Sequence, residues 1–423
     1  MHVPRGRSVC REYHAKSAAI PALLILAAPR AACATHHESP YEEALDEAAA
    51  YRVEVGYIGE QWSVLQGGLE RGSRYLDNLD LILSADLERT LDVPVTLHAH
   101  ALYNNGHEVS AELVGDAQGV SNIESPARAL RLFEAWAEWR FGSESHQSLR
   151  YGLYDVNSEF DVTPSAGLFI GSSHGMGREF SQTGEHGPST FPVTSLAIRH
   201  QWRIDATWTW QTAAIDGVPG DPEHPDHTTI HLSHGDGALF LTELSRAGPR
   251  LTKLALGAWQ YTAEFEDILA TDAAGMPIRR HDNRGAYVLG DVALIPASQS
   301  AQRDAAPRLS AFIRLGVANG DLNRFDRYLG AGLVARGLLG DDELGIAIAQ
   351  AYTGDAYRSL AAQSGMPADR VEHNVELTWR IPVAEWLALQ PDVQYIVNPG
   401  TDPQRRDALV VGVRFEITAD GAW

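Results

Sequence analysis

Between Trp386 and Ile417 the chain reads WLALQPDVQYIVNPGTDPQRRDALVVGVRFEI, two runs of strict alternation around a turn-rich connection. Leu387, Leu389, Val393, Tyr395 and Val397 share one parity, and Gln390, Asp392 and Gln394 the other. In the second run Leu409, Val411, Val413, Phe415 and Ile417 oppose Gly412, Arg414 and Glu416. A period of two sends successive side chains to opposite faces of a strand, so this is a two-faced antiparallel hairpin. Its apolar face can meet a second sheet, as in a soluble sandwich, or lipid, as in a membrane barrel.

The same pattern begins at Tyr51 and hardly stops. Tyr51, Val53, Val55 and Tyr57 oppose Arg52, Glu54 and Glu60; Val95, Leu97, Ala99, Ala101 and Tyr103 oppose Thr96, His98, His100 and Asn104. Phe133, Ala135, Ala137, Trp139 and Phe141 oppose Glu134, Trp136, Glu138 and Arg140. Sixteen candidate strands follow from these repeats, joined alternately by short turns and by longer segments rich in Gly, Pro, Asn and Asp. An even number of strands with short turns at one rim and long loops at the other is the mark of an outer-membrane barrel. The expected fold is therefore all-β: a transmembrane antiparallel barrel of about 16 strands over 51–423. It is preceded by a short helix within 35–50, where Ser39-Pro40-Tyr41-Glu42 supplies capping residues.

Residues 1–34 have the three parts of an export signal. Arg5, Arg7, Arg11 and Lys16 are basic, Ala18 to Ala28 is apolar, and Ala32-Cys33-Ala34 offers a small-residue cleavage site. Both cysteines of the chain lie there, so the exported part has no disulfide support. The formal charge is −21, and loss of this leader, with five basic residues and one acidic residue, makes it −25. That balance argues against a nucleic-acid partner, whose phosphates need a basic surface. No later segment has the apolar length of a transmembrane helix, so a membrane location requires strands.

With the strands placed, the residues between them resemble the carbohydrate-selective porin family (OprB type) of outer membranes. The likeness runs in order through Tyr57-Ile58-Gly59-Glu60, Ser121-Asn122-Ile123-Glu124, Leu132-Phe133-Glu134-Ala135-Trp136 and Gly152-Leu153-Tyr154-Asp155 with Glu159-Phe160. It continues through Arg324-Phe325-Asp326 and Asp355-Ala356-Tyr357 to Leu389-Gln390-Pro391-Asp392-Val393-Gln394-Tyr395 and Asp407-Ala408-Leu409-Val410-Val411-Gly412-Val413-Arg414. The resemblance implies a monomeric sixteen-stranded barrel that passes small saccharides such as monosaccharides by passive diffusion, in contact with outer-membrane lipid. The acidic balance keeps a general or cation-preferring porin as the alternative. Barrels of this kind end on an aromatic residue; Trp423, of the same parity as Phe415, fills that place unless the barrel ends at Ile417 with a loose tail.

For a pore the chemistry is selectivity. An uncharged sugar needs donors and acceptors to replace water and aromatic faces for its C–H surfaces. Candidate sugar-contacting residues on adjacent strands are Glu134, Trp136, Glu138 and Arg140, then Arg150 and Tyr154, then Arg199. The long connection from Asn157 to Thr194 either folds inward to narrow the pore or lies over the rim. His224, His227, His231 and His234 match no firm zinc spacing, and His98 and His100 read as polar lumen residues, so no metal or cofactor is expected. No HExxH, phosphate-binding loop, GxSxG or paired-cysteine motif is present, which gives an enzyme no recognisable catalytic residues.

Overall fold

A computed structural model describes residues 49–221, 224, 226–233, 235–297 and 306–423. The export signal and the helix expected within 35–50 lie outside these residues. Eighteen strands follow in chain order: β1 (Tyr51–Gln66), β2 (Gly72–Asp86), β3 (Val95–Asn104), β4 (Ala129–Phe141), β5 (Gln147–Tyr154) and β6 (Ser195–Arg203). Then come β7 (Trp208–Asp216), β8 (Ala238–Arg246), β9 (Leu251–Tyr261), β10 (Phe265–Thr271), β11 (Pro277–Arg280) and β12 (Arg284–Ile295). The last six are β13 (Leu309–Ala318), β14 (Phe325–Arg336), β15 (Glu343–Thr353), β16 (Val371–Ala384), β17 (Leu387–Val397) and β18 (Ala408–Ala422).

All except β10 and β11 form one closed antiparallel barrel of sixteen strands, each beside its neighbour in the chain. The extra pair is a small hairpin of its own inside the connection from β9 to β12. Only Phe265↔Arg280, Glu266↔Arg279 and Thr271↔Pro277 pair in it, too few residues to show a period in the sequence.

Closure joins β1 to β18 from Arg52↔Ala422 to Gln66↔Leu409. The barrel therefore runs past Ile417. Trp423 is tied in by the Ala50 and Tyr51 backbone N–H groups, which donate to its carbonyl at 2.8 and 3.0 Å, and its ring stacks on Tyr51 at 6.2 Å. Trp423 thus belongs to the closing ladder, which satisfies backbone groups that an open edge would present to lipid.

The alternation sorts environments as a membrane barrel requires. On β13, Ile313, Leu315 and Val317 are exposed on the outer surface, while Ser310, Phe312 and Arg314 point inward and are buried. On β17 the outward Leu389, Val393 and Tyr395 oppose buried Gln390, Asp392 and Gln394. Outward Trp139, Trp202, Trp386 and Trp423 with Tyr51 sit at strand ends beside the short turns, and Tyr75 and Tyr395 near the long-loop rim. Aromatic residues at both rims mark the membrane interfaces.

Two long connections fill the lumen. The segment 155–194 descends inside, and Phe160, Met176 and Phe180 pack on inward Ile215, Leu241, Trp259 and Tyr261 of the wall. The segment 105–128 packs Val109, Leu113, Val120 and Ile123 on inward Trp62, Leu76, Ile396 and Val410. Inward apolar residues near the long-loop rim thus face protein, where each buried aromatic or large aliphatic side chain is worth about 1.5–3 kcal/mol relative to exposure.

One expected orientation is corrected. By strand parity Phe133 belongs on the lipid face, but a register shift between His100↔Glu134 and Ala101↔Leu132 makes it the extra residue of a bulge. It turns inward, is buried, and meets His100 edge-on at 5.2 Å; Leu132 and Leu130 take the outward positions. A bulge exchanges the faces of everything beyond it, which single-sequence parity cannot register.

Candidate functional site

Strands β4, β5 and β6 pair so that Glu138, Arg150 and Arg199 stand side by side. All three belong to the inward parity, so their side chains meet within the lumen. Arg150 donates from Nη2 to Glu138 Oε2 at 3.0 Å, and Arg199 from Nη2 to Glu138 Oε1 at 2.9 Å. Glu159, from the start of the inward segment, closes the group. Arg199 donates to its Oε2 from Nε at 2.8 Å and to its Oε1 from Nη2 at 2.6 Å. Arg150 Nη1 lies 3.5 Å from the same Oε1. Two guanidiniums thus interleave with two carboxylates. Burial opposes ionisation of Glu159, but Arg150 and Arg199 outweigh it and hold the carboxyl below its usual range.

Aromatic surface lines the same group. The Arg150 guanidinium lies over the Trp136 ring, 3.8 Å from its centre, and His98 stacks on Trp136 at 4.5 Å. The Tyr154 hydroxyl donates to Glu159. Glu134 receives the Asp155 backbone N–H at Oε1, 3.1 Å, which pins the segment where it leaves β5. Gly152, opposite Trp136, has a φ of +147°, and a Cβ there would run into the β4 backbone. Only glycine lets the two strands approach so closely at this level.

Six of the seven sequence candidates are therefore gathered: Glu134, Trp136, Glu138, Arg150, Tyr154 and Arg199. Arg140 is not among them. It lies two residues nearer the short turn and binds Asp86 and Glu88, each at 3.1 Å, and Thr96 at 2.7 Å. Asp86 is the N-cap of the short helix α1 (Leu87–Leu91) and Glu88 lies in its first turn, so Arg140 braces the rim instead.

The inward segment crosses to the far wall and is fastened there by charge. Arg314 of β13 grips Asp161 through Nε at 2.9 Å and Nη2 at 2.6 Å, and reaches Glu179 at 2.7 Å. Gly316 makes room for this, since a Cβ there would collide with the Glu179 carboxylate. Ser165 donates to Asp291 from backbone and side chain, and the Ile170 and Gly171 N–H groups donate to Glu376 at 2.6 and 3.0 Å. His174 is fully buried beside Phe169 and Phe312, 3.6 Å from Glu376, and burial pushes its imidazole down to about 4. The open alternative for this segment is thus decided: it lies inside the barrel.

Beyond its tip, a cavity is lined by Arg336, Glu343, Arg380, Gln390, Arg414 and Glu416. Arg336 pairs with Glu343 at 2.7 Å and Arg380 with Glu416 at 3.0 Å, while Arg414 binds Glu60 and Asn122. Arginines of inward parity were visible in the sequence. The partners of Arg199, Arg314 and Arg414, namely Glu159, Asp161, Glu179 and Glu60, lie 40 to 354 residues away in the chain, so nothing local pointed to these pairs.

Comparison with known proteins agrees with this architecture. Residues 70–418 match the family described as carbohydrate-selective porin, OprB family. The chain belongs to that family. Porin B of Pseudomonas aeruginosa is 25% identical over 405 residues, covering 86% of this chain and 87% of that protein. The high-pH structure of Pseudomonas putida OprB superposes with a TM-score of 0.75 at 22% identity, over 88% of this chain and 94% of the other. The outer-membrane channel DcaP of Acinetobacter baumannii shares the fold at 9% identity, with a TM-score of 0.54 over 88% of this chain and 98% of that one. This OprB-family protein is a carbohydrate-selective porin of the outer membrane, and its family and fold are those of channels.

Proposed function

We propose that the porin selects monosaccharides at the row Glu138–Arg150–Arg199–Glu159, with buried Trp136 and Tyr154 packed against it to hold its groups in place, and that a single barrel is the working unit. The observation carrying this reading is the Arg150 guanidinium over the Trp136 ring, 3.8 Å from its centre, while both arginines are shared by two carboxylates. Such a row offers donors and acceptors held in fixed positions, which can exchange water for sugar hydroxyls. Because each charge has a partner of opposite sign, the row has little attraction for small ions. The chain's acidic excess therefore does not set the selectivity of this part of the lumen. The lumen cavity, with three arginines against two glutamates, supports the same view.

Planar-bilayer recording tests it. The purified porin is expected to give a small conductance that falls as a monosaccharide is titrated in, and Arg150→Met to weaken that block at least about fivefold. A conductance indifferent to sugars, with strong cation preference, would instead favour a general cation-preferring pore.

A further inference from the structure

On β3, His98 and His100 share the inward parity, and Glu134 of β4 pairs directly with His100. One potential ligand atom from each of the three lies within 4.8 Å of the other two, and all three residues are buried. We propose that these residues form a binding site for a borderline divalent transition metal ion such as Zn²⁺, Ni²⁺ or Cu²⁺ in the barrel wall.

Each group is already turned toward a common point by a partner on its other side. Asp80 Oδ1 lies 2.8 Å from His100 Nε2 and accepts its proton, which leaves Nδ1 as the lone-pair nitrogen. That Nδ1 is buried with no hydrogen-bond partner in the protein, on a side chain about nine-tenths buried. His98 Nδ1 lies 3.1 Å from the Ser84 hydroxyl, which fixes the ring and directs Nε2 toward Glu134 Oε2, 3.9 Å away. Glu134 Oε1 is occupied by the Asp155 N–H, so Oε2 is the oxygen turned to the imidazoles. A carboxylate or hydroxyl behind each imidazole is the arrangement that orients metal-bound histidines.

Two imidazoles and one carboxylate suit zinc and its neighbours better than calcium or magnesium, which prefer all-oxygen shells. In a tetrahedral site with bonds near 2.0–2.1 Å, ligand atoms stand about 3.3 Å apart, so closure by up to about 1.5 Å is needed. The fourth position is left for water. Charge permits occupancy: Arg150, on Trp136 beside His98, is matched by Glu138 and Glu159, while Asp80 adds negative charge at the site. The sequence concealed the site, because the two histidines alone are a common lumen pattern and Glu134 lies on the next strand.

The test uses full-length barrel in detergent carrying His224→Ala and His227→Ala, which remove histidines of a surface loop. Zn²⁺ titration by calorimetry is expected to show one ion per barrel, with affinity falling at least about tenfold in His100→Gln and in Glu134→Gln. Asp80→Asn, which keeps the ligands, is expected to weaken binding about tenfold. Unchanged Zn²⁺ affinity in a His98→Gln/His100→Gln double variant that retains heat-resistant migration overturns the proposal. Should those variants not assemble, Co²⁺ added to the unaltered barrel gives an independent readout. A visible absorption band displaced by Zn²⁺ supports the site, and its absence overturns it.

Discussion

Arg199 holds Glu159 through two hydrogen bonds, Nε to Oε2 at 2.8 Å and Nη2 to Oε1 at 2.6 Å, joining the sixth barrel strand to the base of the segment that fills the lumen. The pair is bidentate and buried, the geometry in which an arginine–carboxylate contact is both strong and directional. It makes the proposed selective row depend on the inserted segment: without Glu159, two guanidiniums would face one carboxylate.

Glu159→Gln should therefore shift the lumen toward anions. Reversal potentials in a salt gradient are expected to move in the anion-selective direction, with sugar block weakened about threefold or more. An unchanged reversal potential would show that the row lies off the conducting path.

Removing the clamp on the far wall should cost stability. Arg314→Met leaves Asp161 and Glu179 buried without their cation, and breaking such a buried arrangement costs about 3–5 kcal/mol. The folded barrel should unfold at lower temperature in a gel-shift assay. Arg140→Met, which removes a partly exposed rim contact, should do so much less.

Deletion of Gly171–Gly184 takes out the part of the inserted segment that carries His174, Phe180 and Glu179. Single-channel conductance is expected to rise several-fold, because that stretch occupies lumen. Equal conductance before and after deletion would mean that ions pass elsewhere.

His174 gives a pH signature. Its folded value near 4 lies below the ordinary 6.5, so the unfolded state binds the proton more readily. The stability it supports is complete above pH 6.5 and declines as pH falls toward 4. Asp155, pushed up to about 7 by burial and by Glu134, acts in the opposite sense, its cost growing as pH rises toward 7. The check is consequently a difference: His174→Gln should lose less stability than the parent between pH 6.5 and 4. Parallel profiles would contradict it.

Loss of Trp423 removes the carbonyl that receives the Ala50 and Tyr51 N–H groups, together with the ring stacked on Tyr51. Truncation by this one residue should reduce the yield of heat-resistant barrel in membrane fractions; an undiminished yield would place closure earlier in β18.

Much of this protein was determined by the sequence alone. A period of two is local, so sixteen strands and their lipid faces could be read from runs such as Leu309–Val317 and Leu387–Val397. The rhythm of turns then required closure into a membrane barrel. The inward arginines and glutamates were visible for the same reason. What only the tertiary structure decided depends on contacts between distant residues. The bulge at Phe133 reversed a face, and Arg140 went to the rim because Asp86 and Glu88 wait there. The 155–194 segment lies inside because Arg199, Arg314 and Glu376 of the wall hold it there. A strand's pattern records which side of the sheet a residue faces; it does not record what stands on that side.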